Sequence, residues 1–166
     1  MNEEAGRIFC ENLDFAWHVA LSATRDPSEA EDAVQDAYIR FVEGFGGFDR
    51  SRPVRPYLAR VVVNAAADRA RAERRRAAKL AEDMADAKEG RVAEMKDPAV
   101  EREMVEALRA ALGRLDPGLR LAVALRYLHG LSLEETAEAM DLPRATASDR
   151  VMRGLDELRR MLTAAG

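Results

Sequence analysis

Residues 132–161, SLEETAEAMDLPRATASDRVMRGLDELRRM, place arginines and small polar side chains at a spacing that suits contact with DNA. Ser132 and Glu135 form a predicted capping box, which opens a short helix. A tight turn at 140–143 leads into a second helix, on which apolar and polar residues fall on different faces. Two helices joined in this way are typical of a helix-turn-helix, whose second helix fits the major groove. An ordinary helical hairpin is the alternative interpretation.

The polar residues of this second helix are the candidates for DNA contact. They lie off the predicted core stripe, which consists of Ala147, Val151, Leu155, Leu158 and Leu162. The candidates on the other faces are Arg144, Ser148, Arg150 and Arg153.

Charge is distributed unevenly along the chain, whose net charge is -4. Residues 1–49 carry 3 basic and 11 acidic side chains, whereas residues 50–79 carry 10 basic and 2 acidic ones. Residues 80–106 are acidic again. The basic block therefore suits a phosphate backbone, and the acidic segments suit a basic or polar protein partner.

The basic block predicts a loop followed by a long helix. The loop, Phe45 to Pro56, is rich in Gly, Pro and Arg. One polar face of the helix carries Arg60, Asn64, Asp68, Arg71, Arg75 and Lys79. Phe48 and Tyr57 can stack on bases while arginines bind phosphates. The alternatives are a solvated arginine face and core packing of both rings.

Helical periodicity, without any alternating strand pattern, predicts an all-α fold. A first helix is expected over residues 8–23, with Leu13 opening its core stripe. A second helix is expected from a capping box of Ser28 and Glu31 to about Glu43. Its outer face carries Glu31, Asp32, Gln35, Asp36 and Arg40.

The helices are expected to form two small domains, at residues 1–79 and 104–166, joined by an acidic linker at 80–103. The second domain is predicted to be a four-helix domain that contains the helix-turn-helix. Asp116 is expected to cap the helix that starts at Pro117.

Several function classes lack support in the sequence. The apolar runs fall short of the roughly 18 residues needed to cross a bilayer, and the acidic start is unlike a signal peptide. These features predict a cytoplasmic protein without membrane insertion. Cys10 is the single cysteine and is interpreted as a packing residue; with only His18 and His129 there is no metal-ligand spacing. No catalytic motif is visible, so no catalytic residue or cofactor is expected.

Three segments are informative together because of their order and spacing. They are AEDAVQDAYIRF at 30–41, FDRSRPVRPYLARVVVNAAADRAR at 48–71, and the segment from Arg114 to Leu162 that contains the helix-turn-helix. Together they resemble extracytoplasmic-function (ECF) sigma factors of the sigma-70 family, over nearly the whole chain except the linker. The resemblance implies that the first domain binds core RNA polymerase and the minus-ten element, and that the second reads the minus-thirty-five element.

The resemblance also implies partners. Contact with the clamp helices of the polymerase β′ subunit is carried over to Asp32, Gln35, Asp36 and Arg40. The polymerase β flap and promoter DNA are further implied partners, and an anti-sigma factor is another that the family allows.

The loop at 48–55 and the helix that begins at Tyr57 resemble the segment that opens the minus-ten element. Phe48 and Tyr57, the latter where the family more often has Trp, are expected to stack on an extruded base or wall its pocket. Asn64 is expected to hydrogen-bond a base edge. The implied phosphate contacts come from Arg52, Arg55, Arg60, Arg71, Arg74 and Arg75.

The recognition helix departs from the family pattern. Where the family has Gly-Thr-Val-Lys-Ser-Arg, residues 145–150 read Ala-Thr-Ala-Ser-Asp-Arg. Ser148 thus replaces a groove-facing lysine, and Asp149 joins Thr146 in the implied DNA-contacting set. Asp149 repels phosphate, yet its carboxylate can accept from a cytosine amino group. Asp141 replaces the turn glycine and tolerates a left-handed backbone.

The sequence is therefore identified as a non-enzymatic ECF-type sigma factor. One alternative is a sigma-like module that titrates an anti-sigma protein, which the altered recognition helix leaves open. A helix-turn-helix repressor is another alternative. The loop and basic helix of the first domain disfavour it, because a repressor needs no melting apparatus.

Overall fold

The computed structural model describes residues 2–80 and 99–164, which form helices joined by turns and loops and contain no strand within these ranges. The chain divides into two compact units, Met1–Arg91 and Val92–Gly166. The all-α fold is confirmed. The predicted linker at 80–103 falls mostly outside the described residues; Leu80 belongs to a helix, and so do residues 99–103.

The described residues of unit 1 form four α-helices and one 3-10 turn. They are α1 (Glu3–Glu11), α2 (Leu13–Thr24), α3 (Pro27–Gly44), the 3-10 turn Phe45–Gly47, and α4 (Val54–Leu80). Alanine and valine dominate the surfaces at which α2, α3 and α4 meet, and Ala20, Ala37 and Val62 are fully buried. Small side chains let the helix backbones approach closely, so the outward faces of α3 and α4 lie side by side.

The prediction of a single helix over 8–23 is wrong, because the helix is interrupted at Asn12. The Asn12 side chain donates to the Ile8 carbonyl at 2.9 Å, and its backbone leaves the helical region at φ -114° and ψ 18°. A side chain that bonds its own backbone in this way competes with helix continuation. Leu13 then starts α2 and is 46% exposed, so it does not open a core stripe. Cys10, expected to pack, is exposed.

The predicted capping box of Ser28 and Glu31 is also wrong. Asp26 is the N-cap of α3, and its carboxylate accepts from the backbone N–H groups of Ser28 and Glu29 at 2.8 and 3.0 Å. Pro27 fills the first helical position, where its missing N–H costs nothing.

In unit 2, residues 99–164 form four α-helices and one π-helical segment. They are α5 (Ala99–Arg114), α6 (Pro117–Val123), the π-helical segment Ala124–Leu128, α7 (Leu133–Ala139) and α8 (Arg144–Ala164). Helices α7 and α8 form the predicted helix-turn-helix. Both predicted caps are confirmed, the box of Ser132 with Glu135 and the cap at Asp116, and Asp141 has a left-handed backbone with φ 54°.

Helix α8 is held against α6 at very short range. Ala147, Val151 and Leu158 are buried as predicted, whereas Leu162 is 37% exposed. Gly154 lies at the crossing, where an added Cβ would come within 2.6 Å of the Val123 side chain and 3.2 Å of the Leu119 carbonyl oxygen. The glycine therefore fixes how closely α8 can lie to α6.

Candidate protein and nucleic-acid interfaces

The outward face of α3 carries polar residues around one exposed aliphatic side chain. Asp32, Gln35, Asp36 and Arg40 follow the helical repeat along this face, which we call the α3 face. Ile39 lies among them and is 55% exposed. An exposed aliphatic residue with a charged and amide surround has the composition of a protein-binding patch, in which the apolar centre is covered and the rim stays polar.

Two aspartates of the α3 face share one arginine of α4. Arg69 donates through Nη1 to Asp36 at 2.9 Å and through Nη2 to Asp32 at 2.5 Å. The hydrogen bond to Asp36 and the charges of both aspartates raise the pKa of Arg69. Arg69 was not among the predicted site residues. The helical pattern of the sequence places Arg69 on the long basic helix. Its position between the two carboxylates depends on how α4 is rotated against α3, which the pattern does not give.

A second set of ion pairs lies beside this one. Asp68 on α4 accepts from Arg40 of the α3 face at 2.7 Å and from Arg71 at 2.9 Å. Arg40 was predicted to contact protein and Arg71 to contact DNA. The structure brings both side chains to one carboxylate, which partly cancels the positive charge of each.

Phe48 and Tyr57 stack on each other with ring centroids 4.8 Å apart and planes 26° from parallel. Phe48 also stacks on Phe45, and Tyr57 lies against Phe41, which is completely buried. The two half-buried rings are therefore the outer members of a continuous aromatic cluster. Core packing of both rings is observed, and their outer edges border the loop.

Arginines of the loop and of the first turn of α4 contact other parts of unit 1. Arg55 donates to the Asn12 side chain at 3.3 Å and lies over the Phe15 ring at 5.2 Å. Arg50 pairs with Glu4 of α1 at 2.8 Å. Arg52 is exposed beyond a turn closed by Asp49, where hydrogen bonds from Ser51 lower the pKa of the Asp49 carboxyl. These contacts fix the loop beside the start of α4.

The predicted DNA face of α4 is a solvent-exposed row. Its members are Arg60, Asn64, Arg71, Arg74 and Arg75, and all of them are exposed. Within the described residues, no ion pair forms at positions 74–76, where three arginines are consecutive. This end of α4 therefore presents positive charge with little internal compensation, as phosphate contact requires.

The recognition helix α8 places its arginines differently. Arg144 pairs with Glu134 of α7 at 2.6 Å, and Arg153 pairs with Asp149 at 3.6 Å. The guanidinium of Arg150 lies over Gly118 at the start of α6, where a Cβ on that glycine would meet Nη1 at 3.0 Å. Thr146 is exposed and Ser148 is half-buried. The six predicted side chains thus share the N-terminal half of α8, but three of the four charged ones have protein partners.

No helix among the described residues is long and apolar enough to span a membrane. The described part of the chain also holds no cluster of three or more His, Cys, Asp or Glu side chains suited to a metal ion.

Comparison with known protein families matches each unit separately. The model described as Sigma-70 region 2 matches residues 8–76, which span most of α1 to α4. The model described as Sigma-70, region 4, matches residues 105–158, which include the helix-turn-helix. The two units therefore correspond to the two conserved regions of a sigma-70-type factor.

Individual proteins give the same result. The ECF RNA polymerase sigma factor SigM of Mycobacterium tuberculosis is 31% identical over 144 residues, which cover 87% of this chain and 69% of that protein. SigW of Bacillus subtilis, also an ECF sigma factor, is 29% identical over 144 residues, covering 81% of this chain and 75% of its own. The fold is shared with the sigma factor RpoE of Bartonella quintana, solved in complex with the anti-sigma factor NepR. Its TM-score is 0.76 at 20% identity, and 95% of each chain is covered.

The chain belongs to the ECF RNA polymerase sigma factors of the sigma-70 family. The predicted family and its function, promoter-directed initiation of transcription, are confirmed.

Proposed function

We propose that this sigma factor is a non-enzymatic cytoplasmic subunit that binds the clamp helices of core RNA polymerase through the α3 face. The observation that carries this proposal is the exposed Ile39 in the middle of Asp32, Gln35, Asp36 and Arg40. Interfaces gain most of their affinity from a small apolar centre that loses water, while polar groups around it set orientation and association rate. The α3 face offers both components on one helix.

In the same proposal, the loop and α4 hold the opened minus-ten element. Tyr57 and Phe48 supply aromatic surface, the exposed amide of Asn64 follows about two helical turns after Tyr57, and the arginine row continues along α4. Unstacking a base costs a few kcal/mol, which stacking and edge hydrogen bonds offset. Helix α8 reads the minus-thirty-five element, and the β flap is the contact of unit 2 on the polymerase.

The polymerase interface is tested with two variants of matched chemistry. Ile39→Ala and Leu13→Ala each remove an exposed aliphatic side chain from unit 1, 55% and 46% exposed respectively. We expect Ile39→Ala to weaken binding to purified core polymerase by about tenfold, because a covered apolar anchor is lost. Leu13→Ala should leave the affinity unchanged. The double variant Asp32→Arg with Gln35→Ala should bind more weakly still at unchanged helicity. Equal affinities for all four proteins would contradict the assignment of the α3 face.

The minus-ten role is tested with Asn64→Ala. Since Asn64 is exposed on α4 and is not part of the α3 face, we expect open-complex formation to fall several-fold while core binding is retained. Permanganate reactivity of thymines near the start site reports opening, and the binding assay above serves as its control. Unaltered reactivity would place the base pocket elsewhere.

A further inference from the structure

Arg69 occupies an unusual position between the two surfaces of unit 1. It is on α4, between the last buried residues of that helix and its exposed arginine row, yet its side chain reaches across to α3. There it binds two carboxylates that are one helical turn apart. Its side chain is 41% exposed, so solvent reaches this ion-pair set.

The atoms that Arg69 uses are as informative as the pairing itself. Both hydrogen bonds go to the Oδ2 atoms of Asp32 and Asp36. A carboxylate has about four acceptor sites, so each Oδ1 atom remains available to a further donor. One cation shared by two anions also leaves one net negative charge on the set formed by Asp32, Asp36 and Arg69.

We propose that Arg69 is a positioning residue of the polymerase-binding face: it holds Asp32 and Asp36 so that their free Oδ1 atoms meet basic or amide donors of core polymerase. This inference rests on the function proposed for the α3 face. Fixing two carboxylates before contact removes the cost of ordering them on binding. Half-exposed ion pairs add little to folding stability, so the effect of Arg69 should be seen in binding.

The test compares substitutions at Arg69 with Arg50→Gln. Arg50 and Glu4 form another long-range, half-exposed ion pair of unit 1, so this control loses a comparable contact away from the α3 face. We expect Arg69→Gln to weaken binding to purified core polymerase by about five- to tenfold, mostly through faster dissociation. Arg69→Lys keeps the charge but lacks the planar fork that reaches both carboxylates, and should fall between Gln and the parent chain. Arg50→Gln should bind as the parent chain does.

A double-mutant cycle separates positioning from a general structural role. In an Asp32→Asn, Asp36→Asn background, Arg69→Gln should cause no further loss of core affinity, because its effect runs through the two carboxylates. Additive losses, or a loss that follows a fall in the unfolding midpoint, would overturn the proposal. So would unchanged or tighter binding by Arg69→Gln, since tighter binding would mean that Arg69 competes with the polymerase. If Ile39→Ala loses affinity for core polymerase while Arg69→Gln does not, the positioning role of Arg69 is rejected and the α3 face is kept as the polymerase-binding surface. If neither variant loses affinity, the α3 face is not that surface.

Discussion

Helices α4 and α8 both carry rows of arginines, but the aspartates on the two helices form different ion pairs. On α4, Asp68 pairs with Arg71 of the row and also with Arg40 of α3, and the arginines at 74–76 form no ion pair within the described residues. On α8, Asp149 lies in the same row as the arginines and pairs with Arg153. A phosphate that approaches α8 must compete with carboxylates already present. Net charge along a helix is therefore a poor guide to its DNA affinity unless the partner of each charge is known.

The two helices also differ in how they pack. Gly154→Ala would disturb the packing of α8 on α6 and leave α4 unaffected. The new Cβ would lie 2.6 Å from the Val123 side chain, so α6 and α8 must separate. Overpacking of this kind costs about 1–3 kcal/mol, which exceeds the gain of roughly 1 kcal/mol in helix propensity. Urea denaturation measures the loss.

Gly46→Ala is the control for this prediction, because nothing lies within 4 Å of a Cβ built there. Equal midpoints for the two variants would show that the α6–α8 crossing relaxes without cost. We expect Gly154→Ala also to lower the affinity for a minus-thirty-five duplex more than it lowers the affinity for core polymerase.

Ser148→Lys with Asp149→Ser would make α8 resemble α4 in its charge. The double variant changes the local charge by two units and frees Arg153, so affinity of the full chain for DNA duplexes should rise by about tenfold at low salt. Any preference for a cytosine that Asp149 reads should be lost. Fluorescence anisotropy on a promoter duplex and a scrambled duplex, at two salt concentrations, measures both effects. A variant that binds neither duplex more tightly would show that this part of α8 does not face the groove.

The smallest expected effect concerns the pairing of α7 with α8. A hydrogen bond from its own backbone, and then Arg144, hold the pKa of Glu134 below its ordinary value of 4.5. A carboxyl whose pKa is lowered on folding contributes stability above pH 4.5 and loses it as the pH falls through the folded value. Arg144→Gln should therefore lower the unfolding midpoint slightly at neutral pH, and the difference from the parent chain should narrow below pH 4.5. A constant difference across this range would assign the effect of Arg144 to packing.

The features that the sequence predicted correctly are those decided by near neighbours. The capping box of Ser132 and Glu135, the cap at Asp116 and the left-handed Asp141 each depend on a few consecutive residues. The break at Asn12 was missed because the apolar repeat continues through it, and only a side-chain hydrogen bond ends the helix. At Asp26 and Ser28 two possible caps lie close together, and periodicity does not choose between them.

For the candidate sites too, local features were predicted and contacts between helices were not. Helical spacing identified the exposed residues of α3, α4 and α8, since exposure follows the core stripe. The partners of those residues depend on how one helix is rotated against another. That is why Asp32 and Asp36 were predicted on the outer face of the helix without their partner, and why Arg69 was missed. The role of each predicted residue in binding polymerase or DNA stays a prediction.

Under the minus-ten role proposed for Phe48 and Tyr57, their stacking has a kinetic consequence for promoter opening. At a centroid separation of 4.8 Å the facing sides of the two rings are already in contact, so no base fits between them. A base that is to stack on that side of Tyr57 must displace Phe48, and Phe48 can leave only by also separating from Phe45. The lifetime of this ring contact then enters the rate of opening alongside the strength of the DNA base pairs. Two promoters with identical minus-ten sequences would share this protein-imposed step, whatever their flanking DNA.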